Sequence, residues 1–178
     1  MIAIFYCGAI EINNHLLFSW LADRPFRYWI YLPAGLKLFL VMIFGLRAVY
    51  GVSLGVAISM VVSGLDISFL HSLLIGSGSG FAIFLSIYFF SYITKVAYPW
   101  YTLKFYQIPS LALLASILNS LIAYLIYRHI GLEDPFDWQS DIFIDVTGRF
   151  VGTFIFLFSA IYIRKFFSSQ SKKTKITF

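Results

Sequence analysis

One cysteine, Cys7, is all that 178 residues contain, so neither a disulfide framework nor a thiolate metal site can be built within one chain. Charge is equally scarce at 12% of residues, against 60% hydrophobic and 20% aromatic, with a mean hydropathy of +0.85. No polar stretch is long enough to form a soluble domain of ~50 residues, the lower end of ordinary domain size. A separate soluble catalytic unit is therefore excluded, and any function belongs to the apolar part. The start of the chain has no basic n-region and no clear small-residue cleavage site, so it is expected to be a retained span and not a signal peptide.

What fills the chain is a series of six long apolar stretches, with nearly everything charged between them. A bilayer-spanning helix needs roughly 20 predominantly apolar residues, whereas a buried helix of a soluble domain is usually shorter and carries a polar stripe. The spans are expected at about Ile2 to Ala22, Tyr28 to Leu46, Ala48 to Ser63, Ile67 to Ile93, Ile108 to Tyr127 and Ile142 to Ile163. The first is interrupted by Glu11, Asn13, Asn14 and His15 and is the least regular. Only Gly45, Leu46, Arg47 and their neighbours can form the turn between the second and third, which must be antiparallel neighbours. Pro99 marks an aromatic loop before the fifth span, and a polar, acidic loop from Arg128 to Asp141 precedes the sixth. The expected fold class is all-α, a polytopic membrane bundle of about six transmembrane helices over residues 1–165, with a basic cytoplasmic tail over 166–178.

Positive residues in short loops are retained on the cytoplasmic side. With both termini inside, the inner face collects Arg47, Lys95, Lys104, Arg164, Lys165, Lys172, Lys173 and Lys175, and the outer face only Arg24, Arg27 and Arg128. This asymmetry predicts cytoplasmic termini in a bacterial-type inner membrane. The net charge of +5 and pI near 9.3 do not point to nucleic acid. Basic residues at such positions meet anionic lipid, each contributing about 1 kcal/mol near the surface. Trp20, Tyr28, Trp29, Tyr31, Trp100, Tyr101 and Trp138 fall near span ends, where amphipathic rings favour the headgroup region.

Four ionisable side chains fall inside the spans: Glu11, Lys37, Asp145 and Arg149. Each costs about 2.5 to 3.5 kcal/mol at a helix centre on insertion scales, so each should face the bundle interior and find a partner. Their charges sum to zero, and Asp145 and Arg149 are spaced to pair within one helix. The cluster is expected from mid-membrane to the outer half, with His15 joining Glu11 one turn away. Two readings compete. One is a neutral network that fixes helix register. The other is a ligand site in which Lys37 and Arg149 serve an anionic group and Glu11 and Asp145 orient them.

The three histidines have no metal-ligand spacing, and no nucleophile elbow or metalloprotease helix is visible, so no metal, cofactor or enzymatic role is expected. The acidic loop residues Glu133, Asp134, Asp137 and Asp141 read as solvated. Small residues mark packing faces: Gly51 and Gly55 in the third span, Gly148 and Gly152 in the sixth, and a fifth-span stripe of Ala112, Ala115, Ser116, Asn119 and Ala123, with Asn119 able to bond across helices. The run through Gly76, Gly78 and Gly80 lacks the Lys-Ser/Thr element of a phosphate loop. It either packs tightly or unwinds to expose backbone.

The segment YLPAGLKLFLVMIFGLRAVYGVSLG, with Tyr31, Pro33, Ala34, Gly35, Gly45, Arg47, Gly51 and Gly55, resembles the second-and-third-span signature of the bacterial membrane-associated sensor (MASE-type) domains. The stretch Asp145-Val146-Thr147-Gly148 is similar to that family's late Asp-x-x-Gly helix. The resemblance covers about a third of the chain and implies an integral membrane sensory module that signals to a cytoplasmic output domain. This chain is expected to have fewer spans than the family generally has and to carry no output domain after Phe178. A sensing role is therefore expected to run through a separate membrane partner or a homo-oligomer. The alternatives, from other classes, are the substrate-binding component of a small-molecule uptake transporter and a structural subunit of a larger membrane complex docked through its small-residue faces.

Overall fold

The computed structural model describes residues 1–24, 27–64, 67–95, 105–131 and 138–174. Pro99, Trp100, Tyr101, Lys104, Glu133, Asp134, Asp137 and Lys175 lie outside the described residues, as do the side chains of Arg24, Arg27, Trp138, Asp141 and the basic residues from Arg164 to Lys173. Six helices follow in order: α1 (Ile2–Ile12), α2 (Pro33–Phe44), α3 (Leu46–Val62), α4 (Phe69–Thr94), α5 (Ile108–His129) and α6 (Trp138–Thr174). A two-stranded antiparallel hairpin, β1 (Ala22–Arg24) and β2 (Arg27–Tyr28), joins α1 to α2.

Three helical stretches, Phe69–Thr94, Ile108–His129 and Ile142–Ala160, are long and apolar enough to cross a membrane. Helices α2 and α3 are apolar but shorter. At 1.5 Å per residue α2 is about 18 Å long, against a hydrocarbon core of about 30 Å. The second span is therefore not one helix from Tyr28 to Leu46. Pro33 occupies its first turn, as suits a residue with no N–H to give and φ already near helical values. The residues before Pro33 are not helical and lie along α6. The Tyr31 N–H bonds the Gly148 carbonyl at 3.0 Å. A Cβ on Gly148 or Gly152 would overlap the carbonyl oxygens of Tyr28 and Tyr31 respectively, so only glycine admits this approach. Asn13 completes the junction: its Oδ1 accepts the Leu32 N–H at 3.1 Å, just after α1 has loosened into a π-type turn over Asn13–Leu17. The polar interruption of the first span thus caps the start of the second.

The helices alternate in direction. Ile2 meets Gly51, Tyr6 meets Gly55 and Glu11 meets Ser59, so α1 runs parallel to α3. Gly80 lies against Val49 and Gly76 against Ala57, so α4 runs against α3. Gly45, at φ +57, turns α2 into α3. The consequence is two ends. Met1, Arg47, Lys95 and the C-terminal end of α6 share one of them; the hairpin and Arg128 share the other. The run from Gly76 to Gly80 is unbroken helix: Gly76 and Gly80 seat α4 on the α3 backbone while Gly78 receives Ile122 and Ile126 of α5.

The bundle is apolar outside and partly polar inside. Phe69, Leu70, Leu74, Phe81, Tyr88, Phe89, Tyr92 and Ile93 of α4 are all exposed, whereas Ser72, Ser79 and Ser86 of the same helix are buried. Large side chains reach outward, and small ones let backbones approach. Ser53, Ser86 and Ser116 satisfy their hydroxyls on the carbonyl four residues back, at 2.8, 2.7 and 2.8 Å. At the centre is α2, which packs against each of the other five helices. Its position puts Lys37 at the heart of the bundle.

Candidate functional site

Lys37 is 1% exposed. Its ammonium donates to Ser79 Oγ of α4 and to Asn119 Oδ1 of α5, both at 2.7 Å, and the Ser79 hydroxyl donates to the same Asn119 oxygen at 3.1 Å. Beside Ser79, Gly78 receives Ile122 and Ile126 of α5 and Gly80 seats α4 on α3. Among the residues whose side chains are described, no carboxylate lies within ion-pair distance of Lys37. A buried cation held only by neutral acceptors retains most of its desolvation cost, because amide and hydroxyl dipoles return less than a counter-charge does.

The other three charges are placed differently. Arg149 and Asp145 pair along α6, Nε to Oδ2 at 2.8 Å, with side-chain exposures of 13% and 16%. The guanidinium lies over the Tyr31 ring, 5.5 Å from its centroid, which adds a cation–π contact to the ion pair. Tyr31 in turn stacks with buried Tyr28 at 6.1 Å. Both rings are thus interior, not interfacial, because the segment that carries them lies against α6. Trp20 and Trp29 are exposed. Glu11 accepts the Ser59 hydroxyl in a short hydrogen bond and meets His15 Nε2 at 3.2 Å, with His15 itself exposed.

The expected four-charge cluster is therefore three separate groups. Asp145 and Arg149 come together; Lys37 and Glu11 do not join them in direct contact. What the three groups share is a cavity of about 40 Å³, lined by Tyr31, Ser59, Ser79, Asn119, Tyr127 and Arg149 together with apolar side chains that include Ile10, Met60 and Ala123. Each group contributes a wall: Ser59 for Glu11, Ser79 and Asn119 for Lys37, and Arg149 for itself. The cavity lies toward the end that carries the hairpin, since Ser59 and Met60 close α3 and Tyr127 closes α5.

The chain matches no family model, and no curated protein or solved structure matches it.

Chemistry must accordingly be read from the cavity itself. Among the described residues, no three His, Cys, Asp or Glu side chains come together. In the cavity wall the Asn119 amide and the Arg149 guanidinium are donors, while the Ser59 and Ser79 hydroxyl hydrogens are given to Glu11 and Asn119; two cations stand there, Arg149 in the wall and Lys37 behind it. That arrangement can hold an acceptor or an anion. Ser79, Ser59 and Tyr31 were not legible as site residues. Ser79 carried a weak signal, a hydroxyl in the middle of a glycine run, and Tyr31 a misleading one, an aromatic near a span end. Gly51, Gly55, Gly76, Gly78, Gly80, Gly148 and Gly152 all face other segments of this chain, and Asn119 bonds across helices to Lys37.

Proposed function

We propose that this is a non-enzymatic, multi-pass membrane protein of a bacterial-type inner membrane, sensor-like, whose interior pocket binds a small ligand bearing an anionic group and which acts through a partner in the membrane. One observation carries the reading: a fully buried lysine with only neutral acceptors stands directly behind a cavity whose wall contains an arginine. A network evolved only to fix register needs no space beside it and no excess of cation over paired carboxylate. Six crossings with cytoplasmic termini are part of this reading, supported by the alternation of the helices and by the excess of Lys and Arg in the segments assigned to the end shared by Met1, Arg47 and Lys95. The second and first crossings are then partly non-helical, which a bilayer tolerates only where the backbone is buried in protein.

A second reading, the substrate-binding component of an uptake system, is favoured by the position of the cavity in the half of the bundle that charge counting puts outward. The structural-subunit reading loses its main support, because the small-residue faces are occupied internally.

The test uses Lys37→Met and Arg149→Met in the full chain. Each is expected to insert as the wild type does, with a Lys95→Cys reporter labelled only from the cytoplasmic side. Each is also expected to lose the gain in thermal stability that the freshly extracted wild type shows over its exhaustively dialysed form. A ligand at 100 times its Kd contributes about 2.7 kcal/mol, enough to be read as a shift of several degrees. If both substitutions instead abolish insertion or folding, the charges are structural and the proposal fails.

A further inference from the structure

The orientation of one amide limits what the cavity can accept. Lysine is only a donor, so the Asn119 atom that faces the Lys37 ammonium must be the oxygen, and the Ser79 hydroxyl donates to that same atom. The NH2 group is consequently held on the opposite edge of the amide, in a residue that forms part of the cavity wall. Asn119 is 1% exposed, and its Nδ2 is buried without a hydrogen-bond partner among the described residues. A buried donor left unpaired costs about 1–3 kcal/mol, so its retention calls for an occupant that accepts a hydrogen bond.

Charge and size define that occupant further. The Arg149 guanidinium in the same wall is balanced by Asp145. Glu11 reaches the cavity only through Ser59, whose hydroxyl hydrogen it takes, and is otherwise turned toward His15. From the remaining helices packed on Lys37, α4 and α5 bring the neutral Ser79 and Asn119. One positive charge, that of Lys37, is left over beside the cavity. A volume of about 40 Å³ is room for about three water-sized occupants, far less than a drug-sized ligand requires.

We infer that the cavity binds a small monovalent anion of halide, nitrate or formate size, held by the Asn119 NH2 and the Arg149 guanidinium with Lys37 as the charge behind them. This rests on the ligand-binding reading above and specifies its ligand. The same chemistry would be offered by the carboxylate end of a longer molecule, and the comparison of formate with hexanoate separates the two.

The test is a titration of the full chain in nanodiscs of zwitterionic lipid, at constant ionic strength with gluconate as the background anion. Chloride, nitrate, formate and hexanoate are the probes, and thermal stability is the readout. Saturable stabilisation by at least one of the three small anions, and none by hexanoate beyond that by formate, is expected. Asn119→Asp keeps the oxygen that Lys37 needs and replaces the NH2 with an oxygen, so it should fold and weaken anion affinity by about 100-fold or more, the scale of a like-charge clash. Ala123→Val, which fills the cavity without touching charge, should abolish the response also and covers the case in which Asn119→Asp does not fold. No wild-type response to any small anion overturns the inference and leaves the cavity to water. An undiminished response in Asn119→Asp or Ala123→Val overturns the site, and a stronger response to hexanoate overturns the size. A larger molecule retained by the native protein, with no small-anion response, would sink this inference while leaving the ligand-binding reading intact.

Discussion

At the scale of single residues, Lys37 and its two acceptors make an asymmetric unit. Removing the cation leaves Ser79 and Asn119 still bonded to one another at 3.1 Å, whereas removing an acceptor leaves a buried charge short of a partner. Lys37→Met is therefore expected to change stability by under about 1 kcal/mol, and Asn119→Ala to destabilise by about 3 kcal/mol. The double substitution should recover most of the loss, since the two sites share one network. Thermal unfolding of the three variants in detergent checks this, and equal losses for Lys37→Met and Asn119→Ala would contradict it. That Lys37 is interior was legible, because a lone charge in an apolar span has nowhere else to go. Its partners were not. A zero charge sum suggested carboxylates, but α2 sits between α4 and α5, which carry none near that level, while Glu11 faces Ser59 on α3. Pairing is decided by helix neighbourhood, which net charge does not encode.

The element scale turns on backbone approach. A Cβ at Gly76 would meet the Ser53 carbonyl and one at Gly148 the Tyr28 carbonyl, whereas a Cβ at Gly8 of α1 meets nothing within 4 Å. Gly76→Ala and Gly148→Ala are each expected to destabilise by about 1–3 kcal/mol, the usual cost of overpacking. Gly8→Ala should be neutral or stabilising by up to about 1 kcal/mol, because alanine is the better helix former. Thermal denaturation of the three single variants separates these cases; equal effects at Gly8 and Gly148 would show that the close approach is not what glycine serves. The glycine pairs and the tight turn at Gly45 could be read from spacing alone. The non-helical approach to Pro33 could not, since Tyr28 to Leu32 is apolar and aromatic like the helix that follows. Only Pro33 hinted at a boundary, and what seats the segment is a pair of glycines more than a hundred residues away. The first span's polar residues likewise looked like an interruption, whereas Asn13 is the cap that the buried Leu32 N–H requires.

For the whole molecule, the inside-out distribution of side chains and the alternation of the helices agree with the membrane class that composition indicates. The helices were located to within a few residues from hydropathy for α3, α4 and α5. The number of crossings is a different matter, since three stretches are long and apolar enough by themselves and α2 and α3 are short. Composition fixes how apolar a segment is, and packing fixes how much of it becomes helix. The polar interior is the feature that distinguishes this bundle from one held together by packing alone. Its Lys37 ammonium, its Asn119 donor, unpaired among the described residues, and its cavity all lie in the interior where the other five helices meet around α2.

The most direct test of that account is native mass spectrometry of the wild-type protein, gently extracted from its own membrane, because it weighs small molecules and protein partners together. The account predicts a small anionic species retained at one per chain, absent from Lys37→Met prepared in the same way. Wild-type chain retaining no small molecule, and recovered only with a larger protein in fixed proportion, would contradict it: the charges would then belong to a structural subunit, and the pocket to its packing.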